Sequence, residues 1–187
     1  MKNTAIVLID IQNDYFHNGA LTLDSAIDAA TKARHLLDIF RSKQLPIVHI
    51  QHETTKQERG FLLPGSYGQK IHDSVKPSGE EACFTKHYPN AFWQTKLEEY
   101  FKEKNIEYLI LAGMMTHMCV SATARAAMER GFGTTIIQDA CATHSLEFDG
   151  AVIPGETVHK TALAELTLFS KITPLNSFLA EEFGISS

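Results

Sequence analysis

Three residues of this chain offer nucleophilic, basic and cationic chemistry at places where the secondary-structure pattern changes. Cys119 lies in Leu111-Ala112-Gly113-Met114-Met115-Thr116-His117-Met118-Cys119-Val120, where an apolar strand pattern gives way to a glycine-containing turn and then a helical pattern. A thiol in the first turn of a helix faces unpaired N–H groups and the positive end of the helix dipole. Both favour the thiolate, the nucleophilic form. The same amides can hold an oxyanion beside an attacked carbon. The alternative is a buried cysteine acting as a small hydrophobe. Asp10 closes the apolar run Ile6-Val7-Leu8-Ile9. A carboxylate there is costly to desolvate without a partner, and such groups often have raised pKa values and act as bases. Capping of nearby backbone amides is the other use for it. Lys86 follows Ala82-Cys83-Phe84-Thr85. Lysine is seldom buried without a counter-charge, so beside Asp10 and Cys119 it would fix the carboxylate and stabilise anionic states. Standing alone, it would be an ordinary exposed lysine.

The elements that must position these groups follow from hydrophobic periodicity. Thr4–Asp10 is apolar at nearly every position, as a strand buried on both faces should be. Leu23 to Lys43 has helical spacing through Ala26, Ala29, Ala33, Leu36 and Phe40, and Ile47–Gln51 reads as a second strand. Residues 52–81, punctuated by Gly60, Pro64, Gly65, Gly68, Pro77 and Gly79, form a long irregular segment of the kind that usually carries function. Then come a strand at Ala82–Thr85, a helix at Asn90–Lys104, a strand at Ile106–Ala112, a helix at Thr116–Arg130 and a strand at Gly133–Gln138. A helix at Glu156–Leu166, a sixth strand at Phe169–Ile172 and a helix at Leu175–Phe183 complete the pattern. This alternation predicts one α/β domain over residues 1–187. Its three layers would be α/β/α, around a mostly parallel, Rossmann-like sheet of about six strands. Ligands of such sheets sit beyond the carboxyl ends of the strands. That is where the pattern places Asp10, His52, Lys86, the turn Gly113–Cys119 and Asp139.

Composition narrows the function classes. With 187 residues and 44% hydrophobic content the chain can bury a full core. Its net charge is −5 with the signs interspersed, which disfavours a nucleic-acid partner. No apolar run reaches the roughly 18–20 residues that cross a membrane. The opening apolar stretch is too short for a signal-peptide core, so a cytoplasmic location is expected. Three cysteines, Cys83, Cys119 and Cys141, without a CxxC argue against a disulfide framework and a zinc knuckle. Cys83 and Cys141 read as structural. A flavodoxin-like or dinucleotide-binding reading fails because no GxGxxG follows the first strand.

Together these segments carry a family resemblance. Leu8-Ile9-Asp10-Ile11-Gln12-Asn13-Asp14 resembles the first motif of the isochorismatase-like cysteine hydrolases, which include nicotinamidases, N-carbamoyl amide hydrolases and isochorismatases. Thr85-Lys86-His87-Tyr88-Pro89-Asn90-Ala91-Phe92 resembles their lysine motif, and the segment from Gly113 through Ala127 their nucleophile motif. Pro64-Gly65-Ser66 and Asp139-Ala140 match further landmarks. The resemblance implies catalysis by Asp10, Lys86 and Cys119, with hydrolysis of a small-molecule amide-type C–N bond through a Cys119 thioester. It also implies an oxyanion hole from the backbone N–H groups of Met115 and Cys119, a cis peptide between Met114 and Met115, and a homodimer or homotetramer.

The match is incomplete in one region. Nicotinamidases hold a metal through an aspartate and histidines after strand two, where this chain has His49-Ile50-Gln51-His52-Glu53-Thr54. His52 stands in the aspartate's place and Thr54 in that of a histidine, so neither a metal nor another cofactor is expected. Candidates for the substrate pocket are Gln12, Tyr15, Phe16, His52, Phe61, Tyr88, Phe92 and His117, with core packing as the alternative for each. A vinyl-ether hydrolase of the isochorismate type and a non-catalytic binding protein remain competing readings.

Overall fold

The computed structural model describes residue 1 and residues 3–185. Six strands form one sheet: β1 (Thr4–Ile9), β2 (Ile47–His52), β3 (Ala82–Lys86), β4 (Tyr108–Met114), β5 (Gly133–Ala142) and β8 (Lys171–Thr173). Their order is β3-β2-β1-β4-β5-β8, and every neighbouring pair is parallel. The other two strands, β6 (Leu146–Phe148) and β7 (Ala151–Ile153), make a separate antiparallel hairpin. The helices are α1 (Ala26–Ser42), α2 (Leu97–Glu103), α3 (Ser121–Glu129), α4 (Gly155–Leu166) and α5 (Leu175–Phe183).

The period-2 alternation of β1 builds both faces of the core. Ile6 and Leu8 pack with Ala33, Leu37 and Phe40 of α1 and Phe178 of α5. Ala5, Val7 and Ile9 pack with Phe101 of α2, Ala124 of α3 and Leu166 of α4. Burying side chains such as Phe40 and Phe101 contributes about 1.5–3 kcal/mol each. The expected three-layer α/β/α arrangement is therefore present.

The boundaries differ from expectation in four informative places. The helix expected from Thr116 opens as a π-helical turn, Thr116–Val120, and becomes α-helical only at Ser121. The helix expected from Asn90 starts at Leu97, after a run of turns stitched by Asn90 and Thr95 side chains. β5 does not stop before Asp139. It bulges, pairing Ile136 with Leu111 but Cys141 with Gly113, and continues to Ala142. Asp139 consequently leaves the site and accepts the Leu175 N–H at the start of α5, 2.8 Å away. The β6–β7 hairpin has no counterpart in the sequence reading, because three-residue strands carry too little periodicity to be seen.

Two features set the ends of the site-bearing strands. Gly113 adopts φ +137°, and a Cβ there would overlap the Ile9 carbonyl oxygen of the neighbouring strand. A glycine is needed for β4 to lie this close to the end of β1. At the start of β3, Glu81 accepts from Arg41 Nε and Nη2 at 2.7 and 2.8 Å and from Ser78 N–H at 2.9 Å, and it contacts His49 Nε2 at 2.9 Å. Burial pulls the Glu81 carboxyl upward, but these partners outweigh it and hold the group down at about 2. Its contribution to stability is therefore complete above the ordinary value of 4.5 and is lost as pH falls toward about 2. Glu81→Gln is expected to cost about 2 kcal/mol at neutral pH. Urea unfolding should show that difference vanish progressively through the same acid window.

Candidate active site

The strand order reverses direction between β1 and β4, so a crevice opens at their carboxyl ends. Asp10 is the first residue past β1, at φ +50°, and is fully buried. Cys119 approaches from the other side of the crevice, on the π-helical turn after β4. The peptide between Met114 and Met115, which enters that turn, is cis. Lys86 is the last residue of β3, two strands from β1. Only a long side chain can cross that gap, and its ammonium Nζ lies 2.7 Å from Asp10 Oδ2 and 3.1 Å from Cys119 Sγ.

The strand it crosses supplies a third neighbour. His52 is the register partner of Lys86 on β2, and its Nδ1 lies 2.8 Å from Lys86 Nζ. An ammonium has three hydrogens and no lone pair. It donates one each toward Asp10, Cys119 and His52, so the His52 proton sits on Nε2.

Burial in this cluster sets the ionisation behaviour. Desolvation raises the Asp10 pKa, against the pull of the Lys86 charge. No backbone amide caps the carboxylate among the described residues, so its lone pairs stay available for a proton. Burial likewise pushes the Cys119 thiol up to about 12, and the Asp10 charge adds to the rise while Lys86 opposes it. Burial beside a carboxylate thus favours the thiol, opposite in sense to the thiolate that a helix start favours. Burial works against the charge on Lys86, yet Asp10 and Cys119 raise its pKa. His52 is driven down to about 3 by burial and then by the Lys86 charge. At neutral pH Cys119 is therefore the thiol and His52 the neutral imidazole, with the Lys86 charge favoured by its neighbours.

A cavity of about 280 Å³ opens above Cys119. Tyr15, His52, Phe61 and Tyr88 line it as the sequence suggested, and Met115 joins them. Four other candidates lie elsewhere. Gln12 is fully buried and clamps the backbone of His52, donating to its carbonyl at 2.9 Å and accepting its N–H at 2.8 Å. Phe16 stacks on His72 at 3.7 Å. Phe92 packs between Phe101 and Phe132 in the core. His117 turns away to Thr143 and to His144, which gives His144 a packing role. Sequence reasoning missed Lys56, Arg59 and Met118, which also line the cavity. The first two belong to the irregular segment, where no periodicity assigns a direction to a side chain.

The nicotinamidase resemblance implies a metal beside this cluster. Asp10, His52 and Cys119 do bring donor atoms within 4.8 Å of one another. The Lys86 ammonium already draws on all three, and a second cation would have to displace it. The donor set as it stands does not fit a metal.

Six parallel strands with a thiol, a carboxylate and an ammonium gathered at the switch point define a Rossmann-like α/β hydrolase. A family model for the isochorismatase domain matches residues 4–176, and the chain belongs to the isochorismatase family. An uncharacterized isochorismatase family protein of Bacillus subtilis, YddQ, is 39% identical over 94% of this chain and 98% of its own length. The crystal structure of an isochorismatase from Pseudomonas putida superposes with a TM-score of 0.87 at 32% identity, covering 94% of this chain and 89% of that one. Nicotinamidase 3 of Arabidopsis thaliana is 26% identical over 81% of this chain and 79% of its own.

Proposed function

We propose that this hydrolase cleaves the C–N bond of a small amide through a thioester on Cys119. The observation that carries the reading is the simultaneous contact of one buried ammonium with Asp10 and Cys119 beneath an open cavity. A buried ion pair is a weak source of stability, since desolvating both charges offsets most of their attraction. Its position against a thiol at a ligand cavity is better accounted for by chemistry.

Asp10 takes the thiol proton as the sulfur attacks the amide carbon. The carbonyl oxygen becomes an oxyanion, a charge assigned here to the backbone N–H groups of Met115 and Cys119 on the strength of the family resemblance. Protonated Asp10 then delivers its proton to the nitrogen as the C–N bond breaks, and the amine leaves. Water attacks the thioester while giving a proton to Asp10. The C–S bond breaks, the acid departs and the proton returns to the sulfur. Lys86 remains charged throughout, holding the carboxylate and the developing thiolate.

The cavity also suggests a substrate class. In a chain of net charge −5, its lining includes Lys56 and Arg59 but no Asp or Glu. A carboxylate or similar acceptor group on the substrate would match it, so N-carbamoyl acids are a better first probe than neutral amides.

The test measures ammonia or product release by wild type and Cys119→Ala, with primary amides, N-carbamoyl compounds and isochorismate. Amide hydrolysis abolished by the substitution supports the proposal. Isochorismate turnover that survives it would support the ether-hydrolase reading. Tight binding of a panel compound with no turnover would point to a non-catalytic member.

A further inference from the structure

We infer that His52 is a positioning residue for Lys86, and that its neutral imidazole completes the cage that a metal would otherwise share. The inference rests on the thiol reading above and extends it to a residue outside the Asp–Lys–Cys set.

Topology supplies the first argument. Lys86 must reach Asp10 across β2, and the residue of β2 in register with it is His52. An aminobutyl side chain has several rotatable bonds, and two acceptors on one side leave the ammonium free to pivot about them. A third acceptor on the strand being crossed removes that freedom. Nδ1 of His52, at 2.8 Å, is that acceptor.

The imidazole is itself held. Its backbone is clamped on both sides by the Gln12 amide. Nδ1 can accept from Lys86 only while it is unprotonated, so Nε2 carries the hydrogen. Nε2 has no protein partner among the described residues and is not among the sealed polar atoms, which places it on the cavity side. Metal ligation through Nδ1 would require Lys86 to leave, and with it the ion pair to Asp10. The residue that stands where nicotinamidases have a metal ligand thus serves an internal cation here.

The test needs no knowledge of the substrate. In a Cys83→Ser background, which removes the exposed thiol, Cys119 is alkylated with iodoacetamide at fixed neutral pH. Three proteins are compared, carrying His52, His52→Asn or His52→Leu. Asparagine can place an acceptor oxygen near the position of Nδ1, whereas leucine fills the space without one. His52→Leu should react at least about tenfold more slowly, and His52→Asn should recover most of the wild-type rate. A leucine variant as fast as wild type would overturn the inference, and so would an asparagine variant as slow as leucine. Circular dichroism verifies that both variants fold. If the His52 protein itself shows no alkylation at Cys119, the thiol reading fails instead, so the two failures are distinct. Cobalt(II) supplies a second readout. Lys86→Ala should develop a near-ultraviolet thiolate-to-cobalt band through Asp10, His52 and Cys119, while the protein retaining Lys86 should not. A band of equal strength in both would contradict the closed cage.

Discussion

Cys119→Ala is expected to lower amide turnover by roughly four orders of magnitude or more, the scale on which loss of a covalent nucleophile acts, with KM for the same substrate little changed. Cys119 is the only thiol at the floor of the cavity among the described residues, since Cys83 is exposed on β3 and Cys141 is buried on β5. Among the described residues, no serine or threonine hydroxyl hydrogen-bonds to Lys86 or Asp10 in its place. The alanine should leave folding intact, because Cys119 is small and the turn is held by the Met115 carbonyl, which accepts from Met118 and Val120. Steady-state kinetics with matched thermal unfolding checks both halves of the expectation.

The second large effect concerns Lys86. It and Asp10 are both fully buried, so Lys86→Met leaves a carboxylate in the interior without its counter-charge. Breaking one partner of such a pair costs about 3–5 kcal/mol. That cost should be greatest at neutral pH. It should shrink on acidification, because Asp10 already has a raised pKa, and loss of the ammonium, which now lowers it, raises it further. Catalysis should respond in the same sense. The proposed mechanism needs Asp10 ionised, so the acid limb of kcat/KM should lie above the ordinary carboxylate value and move to still higher pH in Lys86→Met. Asp10→Asn should remove most of the activity without creating a buried charge, and combining the two substitutions should destabilise less than Lys86→Met alone. Urea titrations and pH–rate profiles of the three variants measure these differences. An unshifted acid limb in Lys86→Met would show that Lys86 does not govern the Asp10 proton.

Much of this was legible in the sequence, because burial on both faces leaves a strong mark. β1 is apolar at nearly every position, so Asp10 stands out at its end. α1 and α5 emerge from period-3.6 spacing within a few residues of their observed bounds. The site residues were harder to place, for identifiable reasons. That Lys86 meets His52 depends on the order β3-β2-β1, which no local pattern encodes. Gln12 looked like a pocket residue because polar side chains beside a catalytic aspartate suggest ligand contact. It instead supplies a buried edge with the hydrogen bonds it would lack. Phe92 and His117 lie beside motif residues, but the irregular backbone at 90–96 and the π-helical turn rotate them away from the cavity. The raised thiol pKa could not be read from a helix start alone, since it comes from the carboxylate and the burial that the tertiary fold imposes.

The most direct test of the account is to trap its covalent intermediate. Wild-type protein would be mixed with an amide substrate found in the panel, quenched in acid within the first turnovers and examined by intact mass, then by peptide mapping. The account predicts an added mass equal to the acyl group, confined to the peptide carrying Cys119 and absent from Cys119→Ala. Turnover by a wild-type enzyme that never carries that mass, together with turnover that survives Cys119→Ala, would contradict it.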